Sequence, residues 1–398
     1  MVPDIRTLKI NSFSFGGDGV ASLPDGRICF VQGGIPGDTV EAHLLSVKKK
    51  YARAAVLSVL EKSVHRRKAF CPLREHIPPC PGCVYAETDA RFELESKQKQ
   101  YEDFLTRGGR APRCRFELPF PSPNRTGYRS RLSLSCEGGL AGYRADDNRT
   151  LIPVRNCSLA RPEINAVLSG LSIPEDARRI LIRYTAKDGT VVRFERKKKT
   201  KRPPAPVFLT EDLEEHGTFL TPSGSFFQVN MPVAKALVDA VLASIEKYQP
   251  QNLFDLFCGS GFFSLAALRR FPSLRVTGVE LDPDAVRAAK LNISRLAPGC
   301  DVRFLSLDAG RFDPARTAAD PKKTMVLLDP PRTGIPERLA ETLKNGGPAV
   351  IVYVSCAPDM LRRDLERLGP GYEVREGRLF DMFPGTAHFE SITILEKI

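Results

Sequence analysis

Apolar and polar positions alternate in short runs along the first half of the chain and settle into longer periods past about residue 220. Over residues 1–63, runs such as "RICFVQG", "TVEAHLL" and "YARAAVLSVL" are separated by Gly, Asp and Pro turns. Period-two alternation of this kind predicts strands, and about five in such a span predict a small OB-type barrel. Residues 64–87, "VHRRKAFCPLREHIPPCPGCVYAE", break the pattern, and four prolines there exclude a long helix. Residues 88–110 predict a helix. Thr88 is placed to cap it, Phe92, Leu94, Tyr101, Phe104 and Leu105 supply an apolar face, and Gly108 and Gly109 end it. From about 112 to 220 the alternation returns. "YRSRLSLSCEGGLAGYRADDNRTLIPV" and "RRILIRYTAKDGTVVRFERK" both predict hairpins around glycine-containing turns.

From about 221 the periods alternate. "NLFDLF", "RVTGVEL", "VRFLSL", "TMVLLD" and "AVIVYVS" predict strands, while "FFSLAALRRF" and "PDAVRAAKLNISRL" predict helices. Apolar strands interleaved with helices imply a mostly parallel sheet covered on both faces.

Composition narrows the function. A hydrophobic content of 42% over 398 residues is enough for real cores. No run of about 18 apolar residues occurs, so no membrane span is expected. The opening "MVPDIRTLKINSF" lacks a signal pattern, and a cytoplasmic location is the expectation. A net charge of +12 favours a polyanionic partner, most simply nucleic acid. The charge is concentrated: eleven Lys/Arg stand against Asp188 and Glu195 between Arg178 and Arg202. Ten cysteines in such a chain point to metal ligation, catalysis or plain burial rather than disulfides.

The apolar strand "NLFDLF" runs into Gly259-Ser260-Gly261 and then a helix, as a cofactor turn does. Glu280 ends the next strand about twenty residues on, where an acid reaches ribose hydroxyls. Asp308, after "VRFLSL", is placed to meet an adenine edge. A dinucleotide site would use a fuller G-x-G-x-x-G, but position 264 is Ser. S-adenosylmethionine has no phosphate to cradle, so the shorter turn favours it over a dinucleotide.

Asp329-Pro330-Pro331 and Cys356 each follow an apolar strand, at the sheet edge where open α/β folds bind ligands. Cys29, Cys114, Cys136 and Cys300 read as inert buried thiols, and Cys258 as part of the cofactor turn. Cys356 precedes a helix N-terminus, which predicts a lowered thiol pKa. Glu390 opens the last apolar strand, preceded by His388, and beside a nucleophilic Cys356 it becomes a candidate base. One reaction uses all these parts. A thiolate adds to carbon-6 of uracil, carbon-5 takes the methyl, and a base removes the carbon-5 proton.

"GSFFQVN", "DLFCGSG", "LLDPPRTG", "YVSCAP" and "DMFPGTAHFES" resemble, in order, the motifs of the RNA uridine-5-methyltransferase family. The resemblance covers essentially the whole chain. It implies Cys356 as nucleophile, Glu390 as base, and Gln228, Phe257, Phe262, Glu280, Asp308 and Asp329 as S-adenosylmethionine contacts. Phe262 departs from the family, which often has a polar residue there. The first sixty residues are similar to the TRAM domain, an OB-type RNA-binding barrel, through "GGDGVA", "GRICFVQGGIPGDTVEA" and "KKKYARAAV".

Cys71-x8-Cys80-x2-Cys83 has the look of a metal site, and Cys157 in "VRNCSL" offers a fourth thiolate. Zinc suits four thiolates, but the resemblance implies a 4Fe–4S cluster. The expected architecture is therefore multi-domain. A TRAM β-barrel spans 1–63, and a central β-rich iron–sulfur domain spans 64–87 and 112–220. A Rossmann-like class I methyltransferase spans 88–111 and 221–398. The segment 178–202, with Arg129 and Arg131, is expected to contact phosphate, and Phe226 and Phe227 are candidates to line a pocket for an extruded base. The expected partner is RNA, 23S rRNA ahead of tRNA; the sequence leaves the oligomeric state open, with a monomer favoured. A non-catalytic RNA-binding protein and a small-molecule methyltransferase are the rival readings. Retention of Cys356 and Glu390 opposes the first; the barrel and basic segment oppose the second.

Overall fold

The computed structural model describes residues 4–107, 111, 113–197, 206–317 and 320–398. Six strands open the chain: β1 (Ile5–Lys9), β2 (Ser12–Phe13), β3 (Gly19–Ser22), β4 (Ile28–Gln32), β5 (Thr39–Val47) and β6 (Tyr51–Glu61). They pair in the order β1-β5-β6-β4-β3-β2. Three register shifts along β5 and β6 bend these long strands. Their inward positions, among them Leu8, Val31, Val40, Ala42 and Ala54, share one core. The fully buried Asp38 secures the exit: it accepts from Ser63 N–H at 2.9 Å and pairs with Arg66 at 2.6 Å.

The segment holding Cys71, Cys80 and Cys83 is irregular apart from one short turn of helix, Pro72–Arg74. Helix α1 (Ala90–Thr106) follows, and its cap differs from the expectation. Asp89, not Thr88, accepts from the backbone of Arg91 and Phe92, at 3.1 and 3.2 Å. Thr88 is drawn wholly into the interior instead. The buried stripe also differs: it is Glu93, Lys97, Tyr101 and Leu105, while Phe92, Leu94 and Phe104 are half-buried. The spacing is helical but two members are charged, and they are accommodated by pairing. Lys97 Nζ lies 2.7 Å from Glu93 and 2.8 Å from Asp381. The expected helix stop at Gly108 and Gly109 lies outside the described residues. After α1 comes the short strand β7 (Arg115–Phe116).

The middle of the chain forms a five-stranded antiparallel sheet. Its strands are β8 (Arg131–Glu137), β9 (Leu140–Arg144), β10 (Leu151–Pro153), β11 (Ala177–Thr185) and β12 (Gly189–Arg196), in the order β10-β9-β8-β11-β12. Helix α2 (Pro162–Gly170) packs Ile164 and Leu168 with Leu132, Leu134, Ile180 and Ile182. A separate hairpin, β13 (Phe208–Asp212) with β14 (Thr218–Pro222), leads to the last unit.

There the elements are α3 (Met231–Tyr248), β15 (Asn252–Leu256), α4 (Phe262–Arg270), β16 (Arg275–Glu280), α5 (Pro283–Leu296) and β17 (Val302–Ser306). They continue with α6 (Pro314–Thr317), β18 (Thr324–Leu328), α7 (Glu337–Gly346), β19 (Val350–Ser355), α8 (Pro358–Leu368), β20 (Tyr372–Phe380) and β21 (Glu390–Lys397). The sheet order is β17-β16-β15-β18-β19-β21-β20-β7. β17, β16, β15, β18 and β19 pair parallel; β21 joins β19 and β20 antiparallel, and β7 pairs β20 parallel, so among the described strands of this sheet β21 alone runs against the rest.

The strands read as continuous apolar runs because alternate side chains enter two different cores. Met325 and Leu327 face the side covered by α3, α4 and α5, whereas Val326 and Leu328 face the side covered by α1, α7 and α8. Burying each such side chain is worth about 1.5–3 kcal/mol, so neither helix layer is dispensable. Among the described residues, no helix is long and apolar enough to cross a membrane.

Candidate active site

The parallel strands end on one edge, and the loops beyond them enclose a cavity of about 590 Å³. Gln228, Phe257, Phe262, Glu280, Asp308, Asp329, Cys356 and Glu390 all line it, with Arg332, Phe226, Phe227 and Phe383. Every cofactor-contact and catalytic residue expected from the sequence is thus on one wall or another of a single space.

The turn after β15 brings the chain there. Phe257 has φ +70°, a conformation costing a non-glycine residue of order 1–3 kcal/mol. Its N–H and that of Cys258 both reach Val279 O, at 2.8 and 3.1 Å, which holds the bend. Gly259 has φ +53° and nothing within 4 Å of a Cβ position, so the backbone there is open to a ligand. Glu280 is fixed by two backbone donors, Gly259 N–H at 3.0 Å and Asp282 N–H at 2.8 Å. Asp308 accepts from Gly310 N–H at 2.8 Å. Gln228 is buried, and its Oε1 has no hydrogen-bond partner among the described residues. Phe262 has an aromatic setting, with ring centroids 4.7 Å from Phe263 and 5.4 Å from Phe227. That packing accounts for a phenyl ring in the cavity wall at this position.

Glu280, Asp308 and Asp329 have no ion pair among the described residues, and Arg332 is the cavity's cation. Such a wall suits a cationic sulfonium with ribose hydroxyls, and the orphaned Gln228 oxygen offers it an acceptor. It does not suit a pyrophosphate. The residues therefore fit S-adenosylmethionine.

Cys356 lies at the end of β19, just before α8, as expected. Its thiol pKa runs opposite to the expectation: it is pushed up to about 12. Burial is the main cause, followed by Glu390 and Asp329, with Arg332 opposing them. Burial and the two acids outweigh what a helix N-terminus contributes to the thiolate. Glu390 is buried, 4% exposed, rather than solvated, and burial also pushes its carboxyl up. His388 is held neutral, its pKa lowered to about 4 by burial and then by Arg332. Cys258 is buried in the turn with a raised pKa, consistent with an unreactive thiol. Cys29 and Cys136 are buried as expected, but Cys114 and Cys300 are only half-buried.

Three nearby groups escaped the sequence reading. Arg332 follows the Asp-Pro-Pro turn directly, and its signal was a lone cation in that motif. Asp255 is a charge within an apolar strand. Ser264 donates to Asp255 Oδ2 at 2.5 Å, so the residue in place of a third glycine anchors α4 to β15.

Cys71, Cys80, Cys83 and Cys157 are all buried. Cys83 and Cys157 share the core beneath the central sheet, and Tyr143 OH lies 3.9 Å from Cys157 Sγ. The four come from separate parts of the chain, yet Cys80 and Cys83 each sense the charges of Cys71 and Cys157. Among the described residues no three of the four sulfurs fall within 4.8 Å of one another; a trio that does is Glu215, His216 and Asp239. Glu215 and Asp239 of that trio are exposed and His216 is buried, and Lys235 already pairs with Glu215 at 2.9 Å.

Residues 196–398 match the family described as tRNA (Uracil-5-)-methyltransferase, and residues 1–57 match the TRAM domain. A Methylococcus capsulatus protein named 23S rRNA (uracil(1939)-C(5))-methyltransferase RlmD is 30% identical, covering 98% of this chain and 96% of its own. An uncharacterized RNA methyltransferase of Corynebacterium glutamicum is also 30% identical, over 99% of this chain and 97% of its own. Among solved structures, the Pyrococcus abyssi tRNA (uracil-54, C5)-methyltransferase in complex with S-adenosyl-L-homocysteine shares the fold. Its TM-score is 0.74 at 22% identity, covering 98% of this chain and 100% of that one. With the family match over the C-terminal half and full-length relatives at this identity, the chain belongs to the tRNA (uracil-5-)-methyltransferase family of S-adenosylmethionine-dependent RNA methyltransferases.

Proposed function

We propose that this protein methylates carbon-5 of a uridine in 23S rRNA through a covalent adduct with Cys356. The observation that carries the reading is the shared cavity: Cys356 and Glu390 face the space lined by the cofactor turn and its carboxylates. Relatives named for 23S rRNA align over nearly their whole length, which favours that RNA over tRNA.

S-adenosylmethionine, when bound, supplies an electrophilic methyl group on a sulfonium. Gln228, Phe257, Phe262, Glu280, Asp308 and Asp329 would hold it. The rest is work for the chain's own residues. Cys356, as thiolate, forms a bond to uracil carbon-6, and the ring's π electrons move to oxygen-4. Carbon-5, now nucleophilic, would take the methyl from sulfur, leaving S-adenosylhomocysteine. Glu390, as carboxylate, removes the carbon-5 proton. The freed electrons rebuild the ring double bond, and the carbon-6–sulfur bond breaks to return the thiolate. Burial of Glu390 raises its basicity, which suits it to that proton. Arg332 favours the anionic forms of both groups.

Cys71, Cys80, Cys83 and Cys157 would hold a 4Fe–4S cluster. Four thiolates suit either a zinc ion or a cluster, and the family resemblance favours the cluster. Its role would be structural, tying the irregular segment to the central sheet beneath the basic surface.

The test is trapping. Fluorine at carbon-5 cannot leave as a proton, so 5-fluorouridine-substituted 23S rRNA with S-adenosylmethionine should give a covalent band on a denaturing gel. Cys356→Ala should abolish it. A band only with substituted tRNA would move the target to tRNA. No band with either RNA, in protein that binds the cofactor, would sink the covalent reading.

A further inference from the structure

The central sheet carries three arginines on one face. Arg131 of β8 lies directly opposite Arg183 of β11, and Arg193 of β12 lies opposite Leu181, two residues from Arg183. Positions opposite each other, or two apart on one strand, share a face. Arg183, in the middle, is neutralised: its guanidinium donates to Glu211 at 2.9 and 2.5 Å. Arg131 and Arg193 have no carboxylate partner among the described residues. Arg129, two residues before Arg131, has none either, and its Nε reaches Arg131 O at 3.1 Å.

What Arg131 and Arg193 touch is neutral. Arg131 donates to Ser225 O at 2.6 Å and Gly224 O at 3.2 Å, and Arg193 to Ser223 Oγ at 3.3 Å. A Cβ on Gly224 would sit 2.5 Å from Arg193 Nη1, so the guanidinium lies against bare backbone. Carbonyls and a hydroxyl satisfy hydrogen bonds but do not balance charge. The crowding registers on Arg131, whose pKa is lowered to about 10 by burial and then by Arg183, Arg129 and Arg193.

The place of this cluster gives it meaning. Ser225, whose carbonyl Arg131 holds, lines the cavity that contains Cys356. The next residue, Phe226, is 65% exposed on that cavity's rim, while Phe227 beside it is buried. An unbalanced cationic pair thus stands one residue from the wall of the cavity, next to an exposed aromatic. A nucleotide entering there brings its base toward the cavity and its phosphate outside it.

We propose that Arg131 and Arg193 form a phosphate-binding subsite for the RNA backbone beside the nucleotide that enters the cavity. Guanidinium donors match phosphate oxygens, and Arg131 keeps donors free after its carbonyl bonds. The proposal rests on the RNA-methylating function above, and its test separates the two. Arg193 is the residue to change first, because Arg131 also holds the backbone that carries Phe226 and Gln228.

The experiment measures binding of a full-length 23S rRNA transcript to the full-length protein loaded with S-adenosylhomocysteine, over a salt series, together with steady-state methylation. Arg193→Gln should lower RNA affinity about 3- to 10-fold. It should also reduce the slope of log K against log salt by about 0.7–0.9, the loss of one phosphate contact. KM for RNA should rise while kcat and S-adenosylhomocysteine affinity stay within about twofold. Arg193→Lys, which keeps the charge, should retain the slope. An unchanged slope and KM in Arg193→Gln, with an active wild-type enzyme, would overturn the subsite alone. Wild-type protein that neither binds nor methylates the transcript would overturn the choice of RNA and the subsite with it.

Discussion

Cys356 and Glu390 stand one residue beyond the last paired rung between β19 and β21. Ser355 of β19 pairs with Ser391 of β21, and Ser391 Oγ donates to Ser355 O at 3.2 Å. One step further along each strand, in opposite chain directions, brings Cys356 across from Glu390. Antiparallel insertion of β21 beside β19 makes this meeting possible, since a parallel neighbour would place position 390 at the far edge.

That relationship sets the first prediction. In Glu390→Gln the thiolate can still add and the methyl can still transfer, but the carbon-5 proton has no acceptor. A covalent enzyme–RNA band should therefore accumulate with ordinary, unfluorinated RNA and S-adenosylmethionine, and turnover should fall about 10²–10⁴-fold. A denaturing gel and methyl-transfer assay read both. Full turnover with no band would remove Glu390 from the role of base.

Asp255 gives a pH prediction. It is wholly buried, and burial, reinforced by Glu280 and opposed by the Ser264 hydrogen bond, raises its pKa to about 7. Unfolded, the same carboxyl titrates near 3.8. Between those values the folded state holds a proton that the unfolded state has released. The contribution of Asp255 to stability therefore falls as pH rises from about 4 to 7 and is constant above. Asp255→Asn removes this dependence. Its melting temperature relative to wild type should climb between pH 5 and pH 8; a flat difference would contradict the assignment.

Lys97 predicts a cost in stability. Lys97→Met would leave Glu93 and Asp381 buried with only Arg125, 3.1 Å from Glu93, in compensation. Breaking a buried pair in this way costs about 3–5 kcal/mol. Thermal and denaturant unfolding should show the loss, and adding Glu93→Gln should recover part of it. A neutral single substitution would mean that water or rearrangement replaces the lysine.

The cysteines predict metal content. Protein purified without oxygen should carry about four iron per chain, and Cys83→Ser or Cys157→Ser should lose iron together with thermal stability. Both variants should retain cofactor binding, because the thiols lie under the central sheet and not in the catalytic cavity. One zinc per chain in place of iron would decide for the other ligand reading.

Much of the site was legible because its parts are local. A strand, a glycine turn and a helix within "NLFDLFCGSGFFSLAA" announce themselves by period and by residue type. So do the acids and the thiol that follow strands, since a strand's end defines a sheet edge without knowledge of its neighbours. The two-sided burial of β18 and β19 was likewise written in their nearly continuous apolar runs.

What the sequence left open was set by long-range packing. Thr88 and Asp89 are both capping residues, and only the surrounding core decided that Thr88 goes inside and Asp89 caps. The helical spacing of Glu93 and Lys97 gave no sign of burial, because Asp381 joins them from nearly three hundred residues away. The thiol of Cys356 was expected to be acidified by a neighbouring helix, a local effect. Its pKa is instead raised by burial and by Glu390 and Asp329, which the tertiary structure brings to the same cavity. The sequence by itself determined the elements, the order of the motifs and the chemistry they carry. The tertiary structure alone decided which charges share a low-dielectric space, because Coulomb and desolvation energies depend on distance and burial, and neither is written along the chain.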